Sequence, residues 1–151
     1  MIQRKQTLFL FQLIFLGIAL LFVSVYTVVT ANTKTDVYLA PLSGTELVST
    51  GSHWVAIALN FLALVLAFVT IFLYKKRELQ LKMTYVLAAL WVLLTILIAA
   101  TPFVLVTNAD VVVEKNHFGT LISVVGVIAS WFAARYIKKD IELLKSADRI
   151  R

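Results

Sequence analysis

Residues 54–74 have the sequence WVAIALNFLALVLAFVTIFLY, a stretch of 21 residues without a charged side chain. A helix needs about 20 mostly apolar residues to cross the hydrocarbon core of a bilayer, because lipid offers no hydrogen-bond partner to an exposed backbone amide. The stretch lies within a longer uncharged run between Glu46 and Lys75. It therefore predicts a transmembrane helix.

Three further stretches have the same character, and none carries a charge inside its apolar core. The whole chain of 151 residues is 61% apolar and 15% charged, with a mean hydropathy of +0.93, which is not the composition of a water-soluble domain. The predicted helices cover about residues 7–30, 54–74, 83–106 and 118–137. The predicted fold class is an all-α integral membrane protein, a single domain (1–151) formed by a four-transmembrane-helix bundle.

The basic residues predict the orientation of this bundle. Twelve of the 14 Lys and Arg residues lie in the two terminal segments or in loop 75–82, and outer loops 31–53 and 107–117 hold only Lys34 and Lys115. Cytoplasmic loops carry the excess of positive charge, so both termini and loop 75–82 are expected in the cytoplasm. The predicted basic cytoplasmic face consists of Arg4, Lys75, Lys76, Arg77, Lys82, Arg135, Lys138, Lys139, Arg149 and Arg151.

The first apolar segment has an alternative interpretation as a cleaved signal peptide. Arg4 and Lys5 form a basic start, and Val29-Thr30-Ala31 offers small residues near a cleavage position. The apolar core is longer than the 7 to 15 residues typical of signal peptides, which favours a retained helix. Cleavage would give a chain that begins at Asn32.

The outer loops predict a small extracytoplasmic β-hairpin or three-stranded cap. Residues 36–39 and 45–49 are candidate strands around Ser43-Gly44, and the β-branched run 110–114 is a candidate third strand. The cap collects acidic and histidine side chains, which permit either a cation site or a solvated acidic surface. We expect the solvated surface and no metal site. The residues concerned are Asp36, Glu46, Asp110, Glu114, His53 and His117.

Small residues mark the faces by which two of the helices pack. In lipid, helices associate through small residues that let backbones approach and through polar groups that bond across the contact. The predicted packing residues are Ala56, Asn60, Ala63 and Ala67 on the second helix, followed by Thr70, and Gly119, Ser123, Gly126 and Ser130 on the fourth, followed by Ala133. Gln12 and Asn60, the amide side chains within the cores, are interpreted as contacts between helices. The pattern leaves open whether these stripes pack internally or against a partner.

The cytoplasmic tail, residues 138–151, continues the fourth helix without proline or glycine. Ile137, Ile141 and Leu144 recur on one side, which predicts an amphipathic helix. The net positive charge of the tail and of loop 75–82 predicts attraction to anionic lipids. Nucleic-acid binding is not expected, because the aromatic stacking residues of such sites are missing.

The sequence offers little material for catalysis. Cysteine is absent, only two histidines are present, and no nucleophile, phosphate-binding or zinc motif is found. Without an ionisable group in the apolar cores, ion transport is also disfavoured. We therefore expect no enzyme activity, no catalytic residues and no cofactor.

The favoured function is an accessory or assembly subunit of a larger membrane complex with a membrane-protein partner. The alternatives are an oligomeric carrier or channel for lipid or an uncharged solute, with Asn60 lining the pore, and a membrane enzyme.

The two ends of the sequence resemble a family of small bacterial four-helix membrane proteins known as a domain of unknown function. The resemblance rests on Met1-Ile2-Gln3-Arg4, Gln6-Thr7 and Phe9-Leu10 at the start, and on Ile137-Lys138-Lys139-Asp140 and residues 144–151 at the end. It implies an inner-membrane protein of bacteria with two membranes. Combined with the predicted topology, it suggests that Arg4 pairs with Asp140, Glu142 or Asp148, joining the first helix to the fourth.

Overall fold

Four helices and three short strands form the structure, a computed structural model that describes residues 3–30, 33–39, 51–105, 112–115 and 117–149. A 3-10 turn, Leu73–Lys75, joins the second helix to the third. In chain order the elements are α1 (Gln3–Phe22), β1 (Ser24–Thr30), β2 (Thr33–Tyr38), α2 (Gly51–Phe72), α3 (Arg77–Leu105), β3 (Val112–Lys115) and α4 (His117–Arg149).

The helices form a closed ring in which α1 packs against α2, α2 against α3, α3 against α4, and α4 against α1. At one end of the bundle, Phe9 of α1 stacks on Tyr136 of α4, and the turn between α2 and α3 lies close by. We call this the basic end. At the opposite end, Gly119 of α4 lies against the backbone of Val25 in β1, and we call this the sheet end.

The sheet is antiparallel, and β1 is its central strand. Its order is β2-β1-β3, with Tyr26 opposite Val37 on one side and opposite Lys115 on the other. Tyr26 and Val37 are buried, whereas Lys34 and Asp36 are exposed. The alternation places one face of the sheet towards the bundle and the other towards the surroundings.

The predicted first helix, 7–30, is wrong in its second part. α1 ends at Phe22, and Ser24–Thr30 forms β1. Five of the seven residues in β1 are Val or Thr, which lose side-chain freedom in a helix and pack well on a sheet. Hydropathy alone does not distinguish a buried strand from a continuing helix.

The strands also differ in position from those expected. β1 pairs with β2, with Thr30 opposite Thr33, whereas the predicted turn at Ser43-Gly44 and the predicted strand 45–49 lie outside the described residues. β2 and β3 overlap the predicted segments 36–39 and 110–114. The structure thus contains a three-stranded sheet, and its central strand, β1, was predicted to be part of a helix.

Three of the described helical segments are long and apolar enough to cross a membrane: Trp54–Lys75, Arg77–Ala100 and His117–Ser146. The apolar part of α1, Thr7–Phe22, is shorter. The expectation of four full-length spans is therefore met by length in three helices, and α1 is shorter because the chain turns into β1.

Candidate functional site

The small-residue stripes of α2 and α4 lie inside the bundle. All eight predicted packing residues are buried: Ala56, Asn60, Ala63, Ala67, Gly119, Ser123, Gly126 and Ser130. The hydroxyl groups of Ser123 and Ser130 donate to carbonyl oxygens of their own helix, those of Thr120 and Val127. Both stripes therefore face the interior of the bundle.

Gly126 makes room for an indole ring rather than for a neighbouring backbone. A Cβ atom at Gly126 would lie 2.2 Å from Cε3 of Trp91, a fully buried side chain of α3. The ring fills the centre of the α3–α4 contact. Its Nε1 has no hydrogen-bond partner among the described residues.

Asn60 connects α2 to α1. Its Nδ2 donates a hydrogen bond of 3.1 Å to the backbone carbonyl oxygen of Gly17, while its Oδ1 has no partner in the described part of the chain. Gln12, which the sequence analysis grouped with Asn60, lies instead on the exposed face of α1 with Phe11 and Phe15. Within the bundle, only Asn60 of this pair makes an interhelical bond.

An ion pair joins α3 to α4 at the basic end. Arg77, the first residue of α3, contacts the carboxylate of Asp140 in α4, and both side chains are largely buried. Beside it, Nε2 of Gln80 donates a 3.2 Å hydrogen bond to the carbonyl oxygen of Thr70 at the end of α2. These buried polar contacts fix the turn between α2 and α3 against α4.

Asp140, one of the three predicted partners of Arg4, pairs with Arg77 of α3. Arg77 begins α3 next to the point where α4 passes, so it reaches Asp140 directly. The side chains of Arg4 and Asp148 lie outside the described part of the structure. Sequence spacing alone gave no sign of this pair, because 63 positions separate its members.

α4 extends beyond the Arg77–Asp140 pair for more than two turns. Lys145 in this extension, residues 141–149, lies 3.4 Å from the carboxylate of Glu78 in α3. Leu143 and Leu144 are 43% and 46% exposed, and Ile141 is half-buried. The extension is thus braced against α3 and presents apolar side chains, among charges, to the outside of the bundle.

A groove of about 550 Å³ lies between α3 and α4 at the basic end. Tyr85 of α3 forms one wall and Trp131 of α4 another, and the guanidinium of Arg135 lies 5.4 Å from the centre of the Trp131 ring. The remaining lining residues are Ala134, Lys138, Lys139 and Glu142. Three cations beside one carboxylate, with two amphipathic rings, can hold an anionic group next to an apolar surface.

The remaining members of the predicted basic face are distributed around this end of the bundle. Lys75, Lys76 and Lys82 are exposed, and Lys76 and Lys82 line a smaller cavity of about 390 Å³ together with Arg77, Glu78 and Leu79. Arg77 and Glu78 already have partners in α4. Of the other predicted residues, the side chain of Arg149 and all of Arg151 lie outside the described residues.

The outer face of the sheet carries paired polar groups. Thr27 Oγ1 donates a 2.6 Å hydrogen bond to Oδ1 of Asp36, and Lys34 Nζ lies 3.8 Å from Glu114. In the part of the chain that the structure describes, no group of three His, Cys, Asp or Glu side chains could hold a metal ion. Glu46, Asp110 and the side chain of His53 lie outside that part.

Tyr26, on the inner face of the sheet, has a perturbed ionisation. Burial raises the pKa of its phenol from 10 to about 12, because the charged phenolate loses its solvation there. The side chain is 1% exposed. It therefore stays protonated and uncharged at physiological pH.

A family model described as a domain of unknown function (DUF4293) matches residues 2–150. The match confirms the resemblance indicated by the two ends of the sequence. No curated protein and no solved structure matches the chain.

Proposed function

The chain belongs to the DUF4293 family, and we propose that it is a multi-pass protein of the bacterial inner membrane that serves as an accessory or assembly subunit of a larger complex. In this proposal all four helices cross the bilayer. The basic end, with both termini, faces the cytoplasm, and the sheet lies on the opposite side.

The membrane location is supported by length, composition and charge. Three helices are long and apolar enough to span, and α1 is packed between α2 and α4 over its apolar part. Thr7–Phe22 gives about 24 Å at 1.5 Å per residue, and slight thinning of the bilayer or extension of flanking basic side chains accommodates such a shortfall. The positive-inside rule supplies the orientation.

The braced α4 extension is the observation that carries the subunit proposal. A solvated helix end gains nothing from exposed leucines, yet Leu143 and Leu144 lie exposed between Asp140 and Lys145, which pair with Arg77 and Glu78 of α3. An apolar patch rimmed by charges is typical of a protein contact. The extension thus presents an apolar surface that a partner subunit can bind on the cytoplasmic side.

The internal contacts favour a subunit over an oligomeric carrier. A pore lined by Asn60 would need that side chain to face a channel between copies, yet it is buried within one chain and bonded to Gly17. The small-residue stripes of α2 and α4 are likewise buried inside the bundle. The surfaces left for assembly are the outer faces of the helices and the α4 extension.

Affinity capture of the tagged full-length protein tests this proposal. After extraction in a mild detergent, mass spectrometry of the captured material is compared for the wild-type chain, for the double variant Leu143→Gln and Leu144→Gln, and for a control variant, Glu142→Gln with Ser146→Ala. We expect a stoichiometric partner that the leucine variant loses and the control retains. A monodisperse homomer containing bound lipid or solute would instead support the carrier.

A further inference from the structure

We propose that the groove between α3 and α4 is a stoichiometric binding site for the phosphate-bearing headgroup of an anionic phospholipid. The inference rests on the membrane location proposed above and is independent of any partner subunit. This site differs from a general attraction between a basic surface and the bilayer, because one lipid binds at one groove lined by specific residues.

The charges in the groove fit a phosphate. Arg135, Lys138 and Lys139 line it, and Glu142 is the single carboxylate among the lining residues. The Trp131 ring lies against the Arg135 guanidinium, which restricts the guanidinium at the rim of the groove. A restrained guanidinium donates two parallel hydrogen bonds to phosphate oxygens, and the lysines add unrestrained point charges.

The apolar surroundings indicate a lipid rather than free phosphate. Tyr85 and Trp131 are rings of the type that lies at headgroup depth. Towards the sheet end, the helix faces that continue this groove expose Val92 of α3 and Val124 and Ile128 of α4. Acyl chains can therefore pack along α3 and α4 while the phosphate stays among the cations.

The other exposed cations of the basic end lack this combination. Lys76 and Lys82 lie near the start of α3, where Arg77 and Glu78 are engaged with α4 and the cavity beside them has no aromatic wall among its lining residues. Lys75 Nζ lies 6.0 Å from the centre of the Tyr74 ring, but Lys75 does not line that cavity. These three lysines provide a control with the same charge on the same side of the bundle.

Native mass spectrometry of the full-length protein released from detergent, titrated with phosphatidylglycerol or phosphatidylcholine of identical acyl chains, measures this site. The groove variant carries Arg135→Gln, Lys138→Gln and Lys139→Gln, and the control carries Lys75→Gln, Lys76→Gln and Lys82→Gln. A conservative variant, Lys138→Arg with Lys139→Arg, keeps both the charge of the groove and the Arg135 guanidinium.

We expect one tightly bound phosphatidylglycerol per wild-type chain, retained in the control and the conservative variant. Removal of the three groove cations should weaken binding at least about tenfold, because the phosphate loses every cation that lines the groove. Equal weakening in the groove variant and the control would overturn the proposal, as would equal binding of phosphatidylcholine. Displacement of the lipid by inorganic phosphate at millimolar concentration would also overturn it, by showing that the acyl chains contribute nothing. If the capture experiment finds no partner subunit, the lipid-binding measurement is unaffected. Each proposal can therefore be refuted without refuting the other.

Discussion

The side-chain amide of Asn60 on α2 donates a 3.1 Å hydrogen bond to the backbone carbonyl oxygen of Gly17 on α1, inside an otherwise apolar contact. The close approach of the two helices depends on the missing side chain at Gly17, where a Cβ would lie 2.7 Å from Leu64. Gly17 thus supplies the acceptor oxygen and the space for the contact, and Asn60 supplies the donor.

The Asn60→Ala variant should lower the stability of the purified protein by about 1 kcal/mol, because a cross-helix hydrogen bond is lost. Thermal unfolding in detergent measures the change. Ser123→Ala is the matched control, since the Ser123 hydroxyl donates to the carbonyl oxygen of Thr120 in its own helix and its loss should have a smaller effect. Full stability of Asn60→Ala with loss of function would show that Asn60 has a role other than packing.

The Gly126→Ala variant should destabilise the bundle by about 1 to 3 kcal/mol, because the new methyl group overlaps the Trp91 ring and buried packing cannot expand without strain. Gly17→Ala should have a smaller effect, since the atom it meets is the end of the Leu64 side chain, which can move. In the double variant with Trp91→Leu, the two losses of stability should be less than additive, because the smaller leucine leaves room for the new methyl group. Additive losses in this double variant would contradict the contact.

Asp140→Asn should be strongly destabilising, by about 3 kcal/mol, because it leaves the largely buried Arg77 without its counter-charge. Glu78→Gln is the comparison, as it breaks the Lys145–Glu78 pair, whose side chains are 68% and 76% exposed. Exposed pairs contribute at most about 1 kcal/mol. Similar unfolding temperatures for the two variants would show that burial does not distinguish the pairs.

The free energy of unfolding should decrease between pH 10 and pH 12 because of the raised pKa of Tyr26. Its pKa is raised from 10 to about 12 in the folded protein, so below pH 10 the phenol is protonated in both states and its contribution is complete. Above pH 10 the unfolded chain releases the proton while the folded chain keeps it. This costs about 1.4 kcal/mol of stability per pH unit in that window.

The difference between wild type and Tyr26→Phe isolates this contribution, because other groups titrate equally in both proteins. Between pH 9 and pH 11, the unfolding temperature of the wild type should fall relative to that of Tyr26→Phe as the pH rises. A constant difference across this range would mean that the phenol is not shielded from solvent.

Single cysteines introduced at Lys34, Lys76 and Ser146 should report the topology, since the chain contains no cysteine of its own. All three positions are exposed. With a membrane-impermeant thiol reagent on spheroplasts, we expect labelling at position 34 and protection at 76 and 146 until the membrane is opened. Labelling of 76 and 146 from opposite sides would exclude the proposed arrangement.

The sequence was informative wherever one periodic pattern decided the outcome. The four-residue and three-residue steps from Gly119 to Ser130 predicted a buried face of α4, and the β-branched run before Glu114 predicted β3. Hydropathy failed at β1, where an apolar run continues past the end of α1 with a different backbone conformation. The predicted start of the third helix at residue 83 was also wrong. α3 begins at Arg77, because a charged residue ends an apolar run without ending a helix.

The candidate site was only partly accessible from sequence for a related reason. The cations were evident singly, but the groove depends on which faces of α3 and α4 meet. That choice is made by long-range contacts such as Trp91 with Gly126 and Arg77 with Asp140. Neither pair leaves a local signal, because each joins residues on different helices.

The central position of β1 also has a consequence during biosynthesis. Its β2 edge can pair as soon as the hairpin emerges, whereas its other edge waits for β3, which follows three of the four helices along the chain. A nascent chain therefore carries an unpaired strand edge throughout most of its elongation, and such edges readily pair with foreign chains. Ribosome stalling before β3 is translated would prolong that exposure and make aggregation the main hazard for the unfinished protein.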